Sequence, residues 1–295
     1  MPKRRGTSKS NGRKDAYDRF YTKGDEANRL VRYMLDRHQE YRTGDFLFIE
    51  PSAGTGSFVK ALHDNGIQNV LAYDLMPATD SVSGTKITKC DFMSVSPSDC
   101  TYRETMYDKS HIVFVGNPPF GIQGNLSIAF VNHCLELGNV VWFILPPTFQ
   151  KESYLRKVPH GIITDVIKVS DDDYTLPDGS CRRVPSAFIE FSYVETKPQM
   201  PSIREYADKV PFVLCDRDTA EFSIRRVGGN AGKASQRTDV SEQSNYFGRL
   251  RDDSDLSVAD VIAVINGTDF PSRDWSVGPR SISKRELLGS LSRRF

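Results

Sequence analysis

The sequence predicts an α/β fold, doubly wound around a mostly parallel sheet, with a smaller C-terminal region. Three observations predict it. Seven short apolar runs alternate with stretches that are apolar at helical spacing, the order that builds parallel strands joined by crossover helices. Two of those runs stop abruptly at residues suited to tight turns or to binding: Phe46–Glu50 runs into Pro51-Ser52-Ala53-Gly54-Thr55-Gly56, and His111–Val115 into Gly116-Asn117-Pro118-Pro119-Phe120. Open sheets of this kind bind ligands at the carboxyl ends of their strands, so both stretches are expected to end on one crevice.

The elements follow in order. After Phe20-Tyr21-Thr22, the residues Ala27, Leu30, Val31, Met34 and Leu35 recur at helical spacing, and Asp25 and Glu26 fall in the first turn, where carboxylates suit the helix dipole. Residues 45–49 read as the first strand, followed by a helix from Ser57 that stops at Gly66. Residues 70–73 form a second strand ending at Asp74, and 86–90 a third ending at Asp91. The polar segment 94–110 reads as loop. Residues 112–115 are the fourth strand, and Leu126, Ala129, Phe130, His133, Cys134 and Leu137 mark the helix that follows it, stopped by Gly138. Runs at 140–145, 163–169 and 187–194 complete the seven. Pro198 and Pro201 mark a linker, beyond which short β-like runs at 212–215 and 222–224 replace the regular alternation. Ser283-Lys284-Arg285-Glu286 is a capping box that opens a short helix.

Composition narrows the class. With 295 residues, 38% of them hydrophobic, the chain has material for a sizeable core. The net charge of +1 conceals an uneven distribution. Residues 1–14 hold six Lys or Arg and no acid, so 1–16 is expected to be a disordered basic arm. The alternating strands and helices place one domain over 17–197, and 198–295 is expected to form a separate C-terminal region. Five cysteines, without a C-x-x-C pair, argue against a disulfide framework or a zinc site. No stretch approaches the ~20 apolar residues of a membrane span. The expectation is an intracellular protein, phage-encoded, bacterial or nuclear, acting without metal or membrane.

The motifs carry the chemistry. The turn 51–56 lets the backbone approach a ligand, since glycine has no Cβ in the way. A dinucleotide fold is the nearest alternative, but its fingerprint wants a third small residue where Val59 stands. Asp74, 24 residues past Glu50, stands where an acid holds ribose hydroxyls, and Asp91 where one accepts from an adenine amino group. In Asn117-Pro118-Pro119-Phe120, two prolines fix the backbone and remove two N–H donors. Carbonyls then face forward beside the Asn117 side chain, a set that accepts both hydrogens of a planar NH₂ while Phe120 stacks on its ring.

The pairing of Glu50-Pro51-Ser52-Ala53-Gly54-Thr55-Gly56-Ser57-Phe58 with Asn117-Pro118-Pro119-Phe120 resembles the class I S-adenosylmethionine-dependent adenine-N6 methyltransferases, over roughly residues 17–194. Segments 143–149 and 184–188 resemble later parts of the same family. The resemblance implies a seven-stranded Rossmann-like methyltransferase sheet and S-adenosyl-L-methionine as cofactor. By position, it implies that Tyr21, Thr22 and Glu50, Pro51, Ser52, Ala53, Gly54 and Gly56 surround the methionine moiety. Asp74 would hold the ribose, and Asp91 with Phe92 the adenine. Asn117, Pro118, Pro119 and Phe120 would take the target amine, with Tyr174 as a second aromatic against the base. The segment Ile122-Gln123-Gly124-Asn125 departs from any pattern that sets a base preference. Arg225, Arg226 and Lys233 lie in an acid-free stretch, 222–238, and are expected to contact phosphates. The expected substrate is adenine in DNA. RNA, a protein glutamine amide, or an inactive nucleic-acid-binding subunit are the alternatives.

Overall fold

The computed structural model describes residues 19–170, 174–276 and 278–295; the basic arm expected over 1–16 lies outside them. The chain forms two compact units, one from residues up to 144 together with 170–183, the other from 145–169 and 184–295.

The first unit begins with β1 (Tyr21–Thr22), α1 (Gly24–Arg37), β2 (Leu47–Glu50), α2 (Ser57–Asp64) and β3 (Val70–Asp74). Then come β4 (Ser81–Val82), β5 (Thr85–Lys89), the hairpin pair β6 (Thr101–Tyr102) and β7 (Thr105–Met106), β8 (Ile112–Gly116), α3 (Asn125–Leu137) and β9 (Val140–Leu145). The chain continues through α4 (Glu152–Leu155), β10 (Gly161–Lys168), β11 (Tyr174–Thr175), β12 (Cys181–Arg182) and β13 (Ala187–Tyr193). It ends with α5 (Ile203–Ala207), β14 (Phe212–Cys215), β15 (Phe222–Arg225), β16 (Ala234–Ser235), β17 (Asn245–Leu250), α6 (Val258–Gly267) and α7 (Lys284–Leu291).

Strand order through the large sheet is β10-β13-β9-β8-β2-β3-β5-β4. All seven expected strands are present, and β4 adds a two-residue antiparallel edge strand against β5. The pairings β8–β9, β8–β2, β2–β3 and β3–β5 are parallel, and β10–β13 is antiparallel. From β2 the chain steps outward to β3 and β5, then returns to place β8 on the other side. The switch point therefore lies between β2 and β8, where such sheets open a crevice. All residues of β2 and β8 are buried, as expected of central strands covered on both faces. The short sheet β1-β11-β12 belongs to the same unit.

The helix α1 turns Ala27, Leu30, Val31, Met34 and Leu35 inward, all fully buried, as the spacing predicts. In α3 the outcome differs. Phe130, Cys134 and Leu137 are buried as expected, together with Ile128, Val131 and Leu135, while Leu126 is 40% exposed. Apolar residues circle most of this helix, so periodicity alone does not select its buried face. The polar segment 94–110 holds β6 and β7 as well as turns.

In the second unit, β14-β17-β15-β16 form an antiparallel sheet. Phe212, Phe222 and Ile224 pack with Val261 and Ile265 of α6, Phe270, and Leu287 and Leu291 of α7. The capping box expected at Ser283 and Glu286 is present at the start of α7, and Ser257 with Asp260 makes another on α6.

Candidate active site

Parallel pairing of β2 with β8 brings Glu50 and Gly116 to the same end of the sheet, and β3 delivers Asp74 beside them. The loops that follow enclose a cleft of about 390 Å³. Tyr21, Thr22, Glu50, Pro51, Ser52, Ala53, Gly54, Asp74, Asp91, Phe92, Asn117, Pro118 and Pro119 all line it. Gly56 and Phe120 are not among its lining residues.

The turn after β2 is tied to the end of β3. Asp74 accepts from the amide of Gly54 through Oδ2 and from that of Met76 through Oδ1, each at 2.7 Å. Gly54 has φ +53, and a Cβ there would fall 2.9 Å from the Tyr21 ring. Gly56 has φ +76, and its absent Cβ leaves room for Val82 of β4 rather than for a ligand. The carboxyl of Glu50 is 2% exposed and accepts from the Val59 amide at 3.1 Å. Burial pushes its pKa well above the usual carboxylate range, and the Asp74 charge adds to the rise. At the third strand end, Asp91 accepts from the Met93 amide at 3.0 Å. Phe92 lies beneath it, buried and stacked on Phe130. Apolar side chains rim the cleft: Leu75, Met76 and Met93 are exposed by 52%, 42% and 38%.

At the end of β8 the polar groups sort themselves. Asn117 Nδ2 donates to the carbonyl of Phe20 at 2.8 Å and lies 3.3 Å from Thr22 Oγ1. A carbonyl only accepts, so the amide nitrogen must face Phe20 and Oδ1 must face away. Ser52 Oγ donates to the Asn117 main-chain carbonyl at 3.2 Å, and Ser127 Oγ to that of Pro119 at 3.0 Å. Not all forward carbonyls are therefore available, in contrast to the expectation.

The aromatic residues are arranged differently from the expectation. Phe120 is 8% exposed, and its ring stacks on Phe20 with centroids 6.0 Å apart and planes 22° from parallel. Tyr174 is fully buried and meets Phe20 at 78°, so it offers no face to a base. The ring parallel to Phe120 is Phe20, with the Arg182 guanidinium 5.6 Å from its centroid. Sequence reading missed Phe20 in this role, although it adjoins the Tyr21-Thr22 pair already singled out.

Arg225, Arg226 and Lys233 belong to the second unit and have distinct local roles. Arg225 Nε donates to the Val227 carbonyl, and Lys233 Nζ to that of Asn266 at the end of α6. Arg226 lies over the Tyr246 ring at 5.2 Å, with Lys284 at 5.9 Å from the same centroid. Both cations line a polar hollow of about 850 Å³. Among the described residues, no cluster of three or more His, Cys, Asp or Glu could hold a metal ion, and no helix is long and apolar enough to cross a membrane.

No protein-family model matches the sequence, and no curated protein matches it. Solved structures that resemble it include a proposed RNA methyltransferase from Pyrococcus horikoshii, at 16% identity and TM-score 0.44, covering 60% of this chain and 88% of that one. A type I restriction-modification methyltransferase subunit from Streptococcus thermophilus superposes at 15% identity and TM-score 0.42, over 62% of this chain and 47% of its own. Magnesium protoporphyrin IX methyltransferase from Synechocystis, with bound S-adenosylmethionine, does so at 13% identity and TM-score 0.40, over 58% and 80%. Likeness this partial carries no argument about ligand or substrate, and the strand order above stands on its own pairings.

Proposed function

We propose that this chain uses S-adenosyl-L-methionine to methylate the exocyclic N6 amine of adenine in nucleic acid, with DNA the favoured substrate. The observation that carries the reading is the end of β8. Asn117 is anchored through its nitrogen, so its Oδ1 faces away from Phe20, in the cleft that Pro118, the Gly54 turn and Asp74 also line.

The donor set suits the cofactor. Glu50, whose pKa burial raises, is a fitting partner for a cationic amino group, since an opposite charge beside it would favour its charged form. Each Asp74 oxygen takes one backbone amide, and a carboxylate oxygen has capacity for a further donor, such as a ribose hydroxyl. The apolar lip of Leu75, Met76 and Met93 suits a planar heterocycle. The cofactor supplies an electrophilic methyl group on a sulfonium.

The chain itself acts chiefly by positioning. Asn117 Oδ1 and the Pro118 carbonyl accept the two amine hydrogens, which draws the nitrogen lone pair out of conjugation with the ring. As nitrogen gains its fourth bond it becomes cationic, and these dipoles stabilise that charge more than they stabilise the neutral amine. The extra proton then passes to water, so no strong base is required. In a duplex the base must leave the stack to reach Asn117.

Incubation with methyl-labelled cofactor and separate DNA, RNA and protein pools, followed by nucleoside analysis, tests the reading. The expected product is N6-methyladenine from DNA. Label in RNA adenine would move the substrate and keep the chemistry. Label in protein, or cofactor binding without transfer to any pool, would overturn it.

A further inference from the structure

The segment Arg19–Thr22 crosses the cleft wall as a strap, and its contacts concern the acceptor side. Tyr21 and Thr22 form β1, registered against Thr175 and Tyr174 of β11. Ser57 Oγ donates to the Thr22 carbonyl at 2.7 Å, pinning the strap to the start of α2. The Thr22 side chain is 6% exposed. Its hydroxyl lies 3.3 Å from Asn117 Nδ2, on the same nitrogen that the Phe20 carbonyl holds at 2.8 Å.

These contacts have a directional consequence. A primary amide has an oxygen end and a nitrogen end of nearly the same shape, and only its neighbours decide which way round it sits. Rotating the Asn117 amide by half a turn would set its oxygen against the Phe20 carbonyl, which has no hydrogen to give, whereas the Thr22 hydroxyl could turn and donate to it, so the Phe20 carbonyl decides the direction. Both amide hydrogens would then face the target amine and repel its own hydrogens. The geometry points to Thr22 as a positioning residue for Asn117: the Phe20 carbonyl sets which way round the amide sits, and the Thr22 hydroxyl adds a second bond that restrains it there, with Oδ1 presented to the substrate amine. This role differs from the cofactor contact that the sequence implies for Thr22. It rests on the methyl-transfer reading for its catalytic consequence, but not for the hydrogen bond itself.

The Phe20 partner is main chain, so Thr22 is the half of the anchor that substitution can remove. Thr22→Val keeps the shape and loses the hydroxyl; Thr22→Ser keeps the hydroxyl. Three measurements on the full chain decide the matter: cofactor affinity by calorimetry, steady-state kinetics on the nucleic acid that accepts methyl groups, and the Asn117 side-chain NH₂ resonances, identified by their absence in Asn117→Ala. In Thr22→Val, kcat is expected to fall about tenfold, the worth of one hydrogen bond. The KM for nucleic acid and the cofactor Kd stay within twofold, and one NH₂ proton shifts and loses exchange protection. Thr22→Ser restores both turnover and resonance. Weakened cofactor binding with kcat intact in Thr22→Val would assign Thr22 to the cofactor and overturn the inference. So would equal losses in the Val and Ser variants, or an unmoved NH₂ pair. The resonance needs no substrate, so a chain that methylates no nucleic acid would fail the functional reading while the anchor is still tested.

Discussion

Glu50 shows how one buried side chain ties stability to function. In the folded chain it holds its proton to a higher pH than in the unfolded chain, because burial disfavours the carboxylate. The sign follows from linkage: this group's contribution is fully present below the ordinary carboxylate pKa of 4.5 and is lost as pH rises through the raised value. Glu50→Gln removes the ionisation while an amide oxygen can still accept from Val59. The variant is therefore expected to melt above the wild type at neutral pH, with the gap closing below pH 4.5. Its cofactor affinity should fall, because no charge remains to pair with the amino group. Melting curves across pH and calorimetry read the two effects; a gap that does not depend on pH would count against a raised Glu50. Asn117 and Phe120 separate two further effects. Asn117→Ala is expected to leave cofactor affinity nearly intact and lower kcat by roughly a hundredfold, the loss of one preorganised group worth about 3 kcal/mol. Phe120→Ala would also open a cavity against Phe20, at about 3–5 kcal/mol of folding stability. Phe120 is 8% exposed and stacked on Phe20 outside the cleft lining, so Phe120→Leu is expected to lower the melting temperature with KM for nucleic acid within twofold. A raised KM at unchanged melting temperature would put Phe120 on the base after all.

At the scale of elements, the β3 end and the turn after β2 behave as one unit. Asp74 satisfies the amides of Gly54 and Met76, so Asp74→Ala leaves both donors without their acceptor and removes the proposed ribose acceptor. Met76 is 42% exposed and its amide can turn to water, so the stability loss falls mainly on the part-buried Gly54 amide, at about 1–3 kcal/mol. The expected outcome is a ten- to hundredfold loss of cofactor affinity together with a lowered melting temperature. Asp74→Asn retains an acceptor oxygen and is expected to lose less stability. A variant that binds cofactor normally but melts early would leave Asp74 as a turn residue only. The loop 121–124 carries comparable constraint: Gly121 has φ +69 with Leu126 where a Cβ would stand, and Gln123 takes φ +54. Such backbone is held by its surroundings and accommodates few substitutions.

At the scale of the whole molecule, the second unit supplies the cations expected to meet phosphate, and its packing separates them. Lys233 closes the end of α6 through Asn266, and Arg225 bonds the turn at Val227, so both serve the unit's own architecture. Arg237 pairs with Asp239 at 2.9 Å. Arg226 and Lys284 instead share the Tyr246 ring at the edge of a polar hollow. Neutralising Arg226 is therefore expected to flatten the salt dependence of nucleic-acid binding by about one unit of slope. Neutralising Lys233 should lower stability and leave the slope unchanged. Titrations at several salt concentrations, beside melting curves, distinguish the two; equal slopes for both variants would dissolve the separation.

Local restrictions made much of this legible in one dimension. Prolines at 118 and 119 admit few backbone conformations, Gly54 and Gly56 adopt the positive φ their type favours, and runs such as 112–115 have no use outside a buried strand. The seven main strands of the sheet follow from such features, because each depends on neighbours a few positions away. Other decisions belonged to tertiary structure. Thr22 and Phe20 reach Asn117 from 95 and 97 residues away, and no periodicity records that meeting. Which carbonyls of the segment 117–120 are already taken depends on where Ser52 and Ser127 arrive. The buried face of α3, the burial of Tyr174 and the sorting of the cations likewise depend on what packs against them. A hydrogen bond is short-ranged and directional, so its partner is chosen only when the folded chain has set both groups within about 3 Å of each other.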